Sequence, residues 1–339
     1  MSGAARRLAA RPARRPAEEA GAMLLVSSSG GHLTELAVLA DRWGLTAGPH
    51  HWVVPRTPQT ESALAGHRVT WVPPVGSRDL AKALRNVASA DRLHRRLRPS
   101  LVATAGAAQA VPHLLTAAAH RTPIVYVESA ARLSGPSVTG RLAAGLPGSR
   151  IYSQAGPWGG RWELTPDVFS CFAAIAAHAV ARVDSVVVML GTERFGFPRA
   201  VRAVLGAVPP DVPVTWQVGS TSWPGPSGEL TRWLPATELA ACVRRASVVV
   251  SHGGAGSVLT ALAEGRVPVV LPRAARLGEH VDDHQVAMCE MLAERGLVVL
   301  VEPGRPLTAD HLVRAARLCA VPAAAAAPEG VAAALGVAS

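Results

Sequence analysis

The sequence predicts an α/β protein built from two doubly wound parallel-sheet (Rossmann-like) domains facing across a cleft. Three observations carry this reading. Short apolar runs rich in Val and Leu alternate with helix-period segments along most of the 339 residues. The alternation breaks once, between about residues 156 and 184, and then resumes. Glycine-rich turns end apolar runs at SSSGGHLTEL (27–36), MLGTERFG (189–196) and SHGGAGS (251–257), where open parallel sheets bind ligands.

In chain order, residues 1–22 hold Arg6, Arg7, Arg11, Arg14 and Arg15 among Ala and Pro, and are predicted to be a disordered basic tail. MLLVS (23–27) is a strand, and GGHLTELAVLADRW (30–43) turns into a helix. HWVVP (51–55) and RVTWVPP (68–74) are strands, followed by one basic amphipathic helix, RDLAKALRNVASADRLHRRLR (78–98). SLVATAG (100–106) and PIVYVES (123–129) are strands flanking the helix AVPHLLTAAAH (110–120). Residues 23–168 form the first domain, and 169–184, with an Ala-rich helix over 172–182, the linker. The second domain, 185–339, has strands at 185–191, 212–219, 247–254, 267–273 and, last, 297–302. Its helices cover 238–246, 256–265, 282–296 and 311–320.

Composition narrows the function classes. Apolar residues make up 49% and aromatics 4%, so the cores rest on Val, Leu and Ala. Arginine supplies 33 of the 34 basic side chains, Lys82 being the one lysine, and the net charge is +10. That charge suits anionic partners, either phosphorylated substrates or an anionic membrane face. No nucleic-acid module, zinc-finger spacing or aromatic-rich basic strand occurs, so no nucleic-acid partner is expected. The four cysteines (171, 242, 289, 319) lack paired spacing and read as buried small hydrophobes in a reducing compartment. No apolar run reaches spanning length and no secretory leader is present, so a cytoplasmic protein with peripheral membrane contact is expected.

The turns carry the candidate chemistry. Gly30 and Gly31 let the backbone turn tightly before a helix start that favours anions, and His32 adds a group that titrates near neutrality. Gly253, Gly254 and Gly256 repeat the arrangement beside His252, with Ser257 as a helix cap. Thr192 is a candidate phosphate donor. GEHVDDHQ (278–285) comes just after the apolar run VPVVLP and packs two His, two Asp, one Glu and one Gln into a loop. His280 and His284 are four apart, but no third metal ligand stands at a clear spacing, so the loop is read as a ligand-binding one without metal. Asp282 or Asp283 would cap the following helix.

On these residues the chain resembles the MurG-like group of GT-B glycosyltransferases. VVVMLGTERFGFPRAV (186–201), SHGGAGSVLTAL (251–262) and PRAARLGEHVDDHQ (272–285) are similar to the catalytic subunit of the dolichol-pathway UDP-GlcNAc transferase. SSGGHLTEL (28–36) and PIVYVESAARLSGPSVTGRLAAGLPGSRIYSQ (123–154) resemble its membrane-recruiting partner, so the chain looks like a fusion of the two. The resemblance implies inverting transfer from a UDP-sugar to a polyprenyl-phosphate-linked acceptor, the UDP-sugar being a substrate, with neither cofactor nor metal. It implies that Gly191 and Thr192 line the donor phosphates, and that His252, Gly253, Gly254, Gly256, Ser257 and Thr260 surround the nucleotide. Glu279, His280, Asp283, His284 and Gln285 would face the donor, Gln285 meeting the sugar hydroxyls. Gly30, Gly31 and Glu35 would hold the acceptor.

The chain also departs from the pattern. The family places a Glu for the ribose hydroxyls five residues before the helix-ending glycine, and here that position is Thr260. The recruiting subunit's membrane anchor is missing from this sequence, and Arg92, Arg95, Arg96 and Arg98 are the candidates for docking on anionic lipid instead. His32 is the first candidate for the general base, with Glu128 and His280 behind it. A UDP-sugar 2-epimerase and a non-catalytic nucleotide-sugar scaffold are the alternatives.

Overall fold

In the computed structural model, residues 21–76, 79–177, 182–191, 195–223, 231–280 and 283–323 are described. Up to Val168 they form one compact unit, and from Phe169 onward a second.

The first unit is built on a seven-stranded, all-parallel sheet. Its strands are β1 (Met23–Val26), β2 (His50–Pro55), β3 (Val69–Val72), β4 (Val102–Thr104), β5 (Ile124–Val127), β6 (Ser149–Ser153) and β7 (Trp162–Leu164). They lie in the order β3-β2-β1-β4-β5-β6-β7. The inner strands are buried on both faces, which is why they read as unbroken apolar runs. Helices α1 (Gly31–Arg42), α2 (Pro58–Ala63), α3 (Leu80–Arg85), α4 (Val87–Leu97), α5 (Val111–Ala119) and α6 (Val138–Gly145) connect them. One core packs Leu24, Val26 and Val53 against Leu93, Leu97 and Leu114.

Two sequence expectations change here. The single helix expected over 78–98 is two helices that meet at Asn86. Asp79 starts the first by accepting the Lys82 N–H at 3.0 Å. Asn competes with the helix backbone for hydrogen bonds and favours such breaks. Helix α2 was not expected at all, yet Thr57 and Thr60 form a capping box at its start.

The second unit holds a separate two-stranded sheet, which includes its first strand, β8 (Phe172–Ala176), and a five-stranded parallel sheet. The five are β9 (Val186–Met189), β10 (Val214–Gln217), β11 (Val248–His252), β12 (Val269–Leu271) and β13 (Val299–Leu300). Their order is β10-β9-β11-β12-β13. Around them lie α7 (Pro198–Ala207), α8 (Ala236–Arg245), α9 (Ala255–Ala263), α10 (His284–Glu294) and α11 (Ala309–Ala316). Val188, Val250, Val269 and Leu271 meet Phe197, Val201 and Val204 of the α7 segment in its core.

The small sheet overturns two expectations. The segment expected as a helix over 172–182 begins instead with strand β8, and the helix expected over 311–320 stops at Ala316. Beyond it lies a further strand, β14 (Leu318–Pro322), so 297–302 is not the last. β8 and β14 pair antiparallel from Phe172 with Pro322 to Ala176 with Leu318. The Ala-rich composition of β8 reads as helical, but a partner more than a hundred residues away decides its state. All four cysteines are free, and of them Cys289 is buried while the other three are partly exposed rather than the buried hydrophobes expected.

Candidate active site

In the second unit the strand order reverses between β9 and β11, since β10 lies outside β9 and β12 outside β11. Such a switch point opens a crevice beyond the carboxyl ends of the two strands. Gly191 comes just after β9 with φ +80°, and Gly253 and Gly254 just after β11. His252 sits between them, nearly fully buried. A Cβ at Gly191 would lie 2.6 Å from its Cε1, and one at Gly254 would overlap its Nε2. A Cβ at Gly253 would lie 2.6 Å from Cys289 Sγ and 3.0 Å from Pro272 Cβ. The glycines are thus required by the His252 ring and by the packing of α10 against the turn.

Burial, reinforced by the Arg273 guanidinium, pushes the His252 pKa down to about 3. The ring is therefore neutral. Its Nδ1 lies 3.2 Å from the Met189 carbonyl, which only accepts, so Nδ1 carries the proton and Nε2 is an acceptor. His252 ties the two strand ends together across the switch point and is not an acid.

Arg273, just past β12, is 1% exposed. Its Nη2 donates to the Leu190 carbonyl at 2.9 Å, and its guanidinium lies 5.1 Å from the Phe197 ring centroid. Its backbone N–H donates to Gln285 Oε1 at 3.3 Å, which holds the buried Gln285 at the same strand ends. A fixed positive charge and the start of α9, which has no side-chain cap, therefore converge beside the glycine turn. That combination favours an anion.

Other predicted residues take different places. The N-cap of α9 is Gly254, and Ser257 is its third residue rather than its cap. Thr260 donates to the Gly256 carbonyl at 2.8 Å, one turn back in the same helix that carries Gly256 itself. Glu279 is held bidentately by Arg199, at 2.7 and 2.9 Å, and Arg199 also donates to the Pro272 carbonyl at 2.9 Å. This pair straps the loop before α10 to α7. Asp283 stands at the N-cap position of α10, but its Oδ1 accepts the Ala275 N–H at 2.7 Å instead. The rings of His280 and His284 meet edge to face at 4.7 Å, and Phe195 lies 5.2 Å from His280. Thr192 and Asp282 fall outside the described residues. Among the described residues no group of three or more His, Cys, Asp or Glu is arranged to hold a metal ion.

Residues 231–307 match the model of the glycosyltransferase family 28 C-terminal domain, a span that contains both SHGGAGS and GEHVDDHQ. The fold is that of the GT-B glycosyltransferases, and residues 231–307 are similar to their family 28 C-terminal domain. The fold is shared with MurG of Acinetobacter baumannii, at 16% identity over 83% of this chain and 85% of that one, TM-score 0.50. It is shared too with the spinosyn forosaminyltransferase SpnP, at 14% identity over 87% and 89%, TM-score 0.54. S. aureus MnaA, solved with UDP, matches at 11% identity over 87% and 91%, TM-score 0.51. No curated protein sequence matches significantly.

The unit that precedes the family 28 domain has its own polar centre at the carboxyl ends of β5 and β6. Glu35, in α1, is 1% exposed. Its carboxyl group collects the Ala130 N–H at 2.6 Å, the Gln154 amide at 2.6 Å and the Ser129 hydroxyl at 2.9 Å. Burial nevertheless raises its pKa to about 7. Gln154 also donates to the Glu128 carbonyl at 2.8 Å. The Glu128 carboxylate takes the Ser137 N–H at 2.8 Å and the Tyr126 hydroxyl at 3.2 Å, and a Cβ at Gly140 would overlap its Oε2. Burial pushes the Tyr126 phenol up, so it remains a donor.

Glu35 and Glu128 are thus brought together as the frame of the turn after β5. Gly30, with φ +76°, caps α1, Gly31 opens it, and the half-buried His32 precedes Glu35 by one turn. Sequence reasoning missed Arg199, Arg273, Ser129, Ser137, Tyr126 and Gln154. Gln154 could have been found as a buried polar residue ending an apolar strand; the others lie inside the family-like runs, where nothing in their spacing singles them out.

Proposed function

We propose that the chain moves a hexose or hexuronate from a UDP donor, with inversion, to a polyprenyl-phosphate-linked glycan acceptor. The observation that carries the reading is the family 28 match, whose two polar turns lie at strand ends beside a buried guanidinium and an uncapped helix start. In this reading residues 23–168 hold the acceptor, 169–184 link, and 185–339 hold the donor. The UDP-bound MnaA has the same fold, which accords with a uridine nucleotide as ligand.

The acceptor hydroxyl attacks the anomeric carbon, the bond from that carbon to the UDP oxygen breaks, and the hydroxyl proton passes to a base. Arg273 and the α9 start offset the charge that develops on the departing diphosphate. Gly191, Gly253 and Gly254 give the backbone its close approach, and Gln285 and His284 at the start of α10, with Glu279, His280 and Asp283 just before it, meet the sugar. His32 is the base this reading favours. Glu128, which accepts three hydrogen bonds from Ser129, Ser137 and Tyr126, and His280 stand behind it. No described helix is long and apolar enough to cross a membrane, which fits peripheral attachment at an inner membrane face.

A donor screen with the purified chain tests this. UDP-GlcNAc, UDP-glucose, UDP-galactose and UDP-glucuronate are compared for binding and slow hydrolysis, beside Gln285→Ala. Selective turnover of one donor, lost in the variant, is expected. Failure to bind UDP or any of the four would overturn the reading in favour of a scaffold.

A further inference from the structure

The opposite end of the first sheet carries a second feature. Where β4 and β5 begin, an open recess of about 450 Å³ is lined by His94, Arg95, Arg98, Pro99, His120 and Thr122. That is the size of a small-molecule site. His94 and His120 stack at 4.6 Å between ring centroids. His94 Nε2 lies 2.8 Å from the Thr122 hydroxyl, and His120 Nε2 lies 2.7 Å from Asp91 Oδ1. Arg95 reaches the other Asp91 oxygen at 3.0 Å.

Two backbone outliers meet here. Among the described residues three non-glycines have positive φ, and two of them are Arg98 (+43°) and Arg121 (+56°). Arg98 ends α4 and Arg121 comes just after α5. A left-handed residue at a helix end is ordinarily glycine, because a side chain there is strained. Helix termination alone does not call for arginine at either position. Strain retained for a charged side chain points to use of that charge.

The field points the same way. Arg92, Arg95, Arg96, Arg98 and Arg121 are all exposed. Against them stand Asp91 and the carboxyl ends of two helices, each worth about half a charge, leaving roughly three net positive charges. The Gly21 N–H donates to the carbonyls of Leu97 and Arg98 beside this recess, both at 3.2 Å.

We propose that this recess is a second anion site, separate from the strand-end site, that binds a phosphate or diphosphate group. Arg95 and Arg98 supply the charge, and Thr122 and the stacked imidazoles supply directional hydrogen bonds. The same chemistry is presented by a soluble phosphate ester and by a phosphomonoester lipid headgroup.

The test uses the full chain without nucleotide, since the readout is local to the recess. Imidazole resonances of His94 and His120 are followed while inorganic pyrophosphate is added, and separately with vesicles of phosphatidylcholine containing or lacking phosphatidic acid. Saturable shifts with pyrophosphate are expected, with affinity reduced at least about tenfold in Arg98→Gly and in Arg95→Gln. Arg98→Gly relieves the left-handed strain, so it folds at least as well and its loss of binding is not misfolding. Arg245→Gln, an exposed arginine of the other unit, should bind normally. A response to phosphatidic acid vesicles alone upholds the site and assigns it a lipid source. Absence of any shift with either probe, or shifts that persist unchanged in both variants, would overturn it.

Discussion

Removing the Glu35 carboxyl tests the buried centre of the first unit most directly. In Glu35→Ala the Ala130 N–H, the Gln154 amide and the Ser129 hydroxyl all lose an acceptor inside the protein. Stranded donors of this kind cost about 1–3 kcal/mol each, so a loss of at least about 3 kcal/mol is expected at pH 5. The wild-type chain carries a cost of its own at higher pH. Folded Glu35 keeps its proton to about pH 7, whereas the unfolded chain releases it near 4.5. In that window the folded state binds more protons, so stability falls as pH rises from 4.5 and levels off above 7. The shift corresponds to about 3 kcal/mol at about 1.4 kcal/mol per pKa unit. The variant lacks this dependence. Urea unfolding followed by tryptophan fluorescence should therefore show the gap between the two proteins shrinking by about 3 kcal/mol between pH 5 and pH 8. A gap that stays constant, or widens as pH rises, would refute the argument that burial governs this carboxyl group.

The second unit yields four further expected outcomes. Gly254→Ala drives a Cβ into the His252 ring, and a loss of about 2–3 kcal/mol in thermal unfolding is expected together with loss of UDP affinity. Arg199→Ala leaves the largely buried Glu279 carboxylate without its bidentate partner, at a cost of about 3 kcal/mol, and should raise the donor KM more than it lowers kcat. Thr260→Glu restores the carboxylate that the family pattern places there and should tighten UDP-sugar binding about tenfold by calorimetry. Burial raises the Cys289 pKa to about 12, so iodoacetamide should leave Cys289 unmodified in the folded chain and alkylate it only after unfolding, as read by mass spectrometry.

How much of the fold was legible in the sequence depends on range. The parallel strands were readable because strands buried on both faces become continuous Val and Leu runs, as in VVVM of β9 and VVVSH of β11. The glycine turns were readable for the same local reason, although their requirement turned out to be the His252 ring. Where the deciding partner was distant, the sequence misled. The Ala-rich β8 reads as helix until Leu318–Pro322 pairs with it. Glu35 reads as a surface ligand of an anion-binding turn until Ala130 and Gln154 close over it from elements about a hundred residues away. Arg199 lies inside VVVMLGTERFGFPRAV without a role of its own there, and only its reach to Glu279 reveals what it holds.

Pairing of β8 with β14 brings the two ends of the second unit to one place. The first strand after residue 168 and the last described strand of the same unit are neighbours in one ladder, about 5 Å apart. A stretch of chain that leaves and returns at one spot behaves as a cassette. Recombination that cut at both places would lift out nearly the whole second unit and leave two adjoining ends. Such cut-and-join exchange would carry the five-stranded sheet and its glycine turns together as one piece.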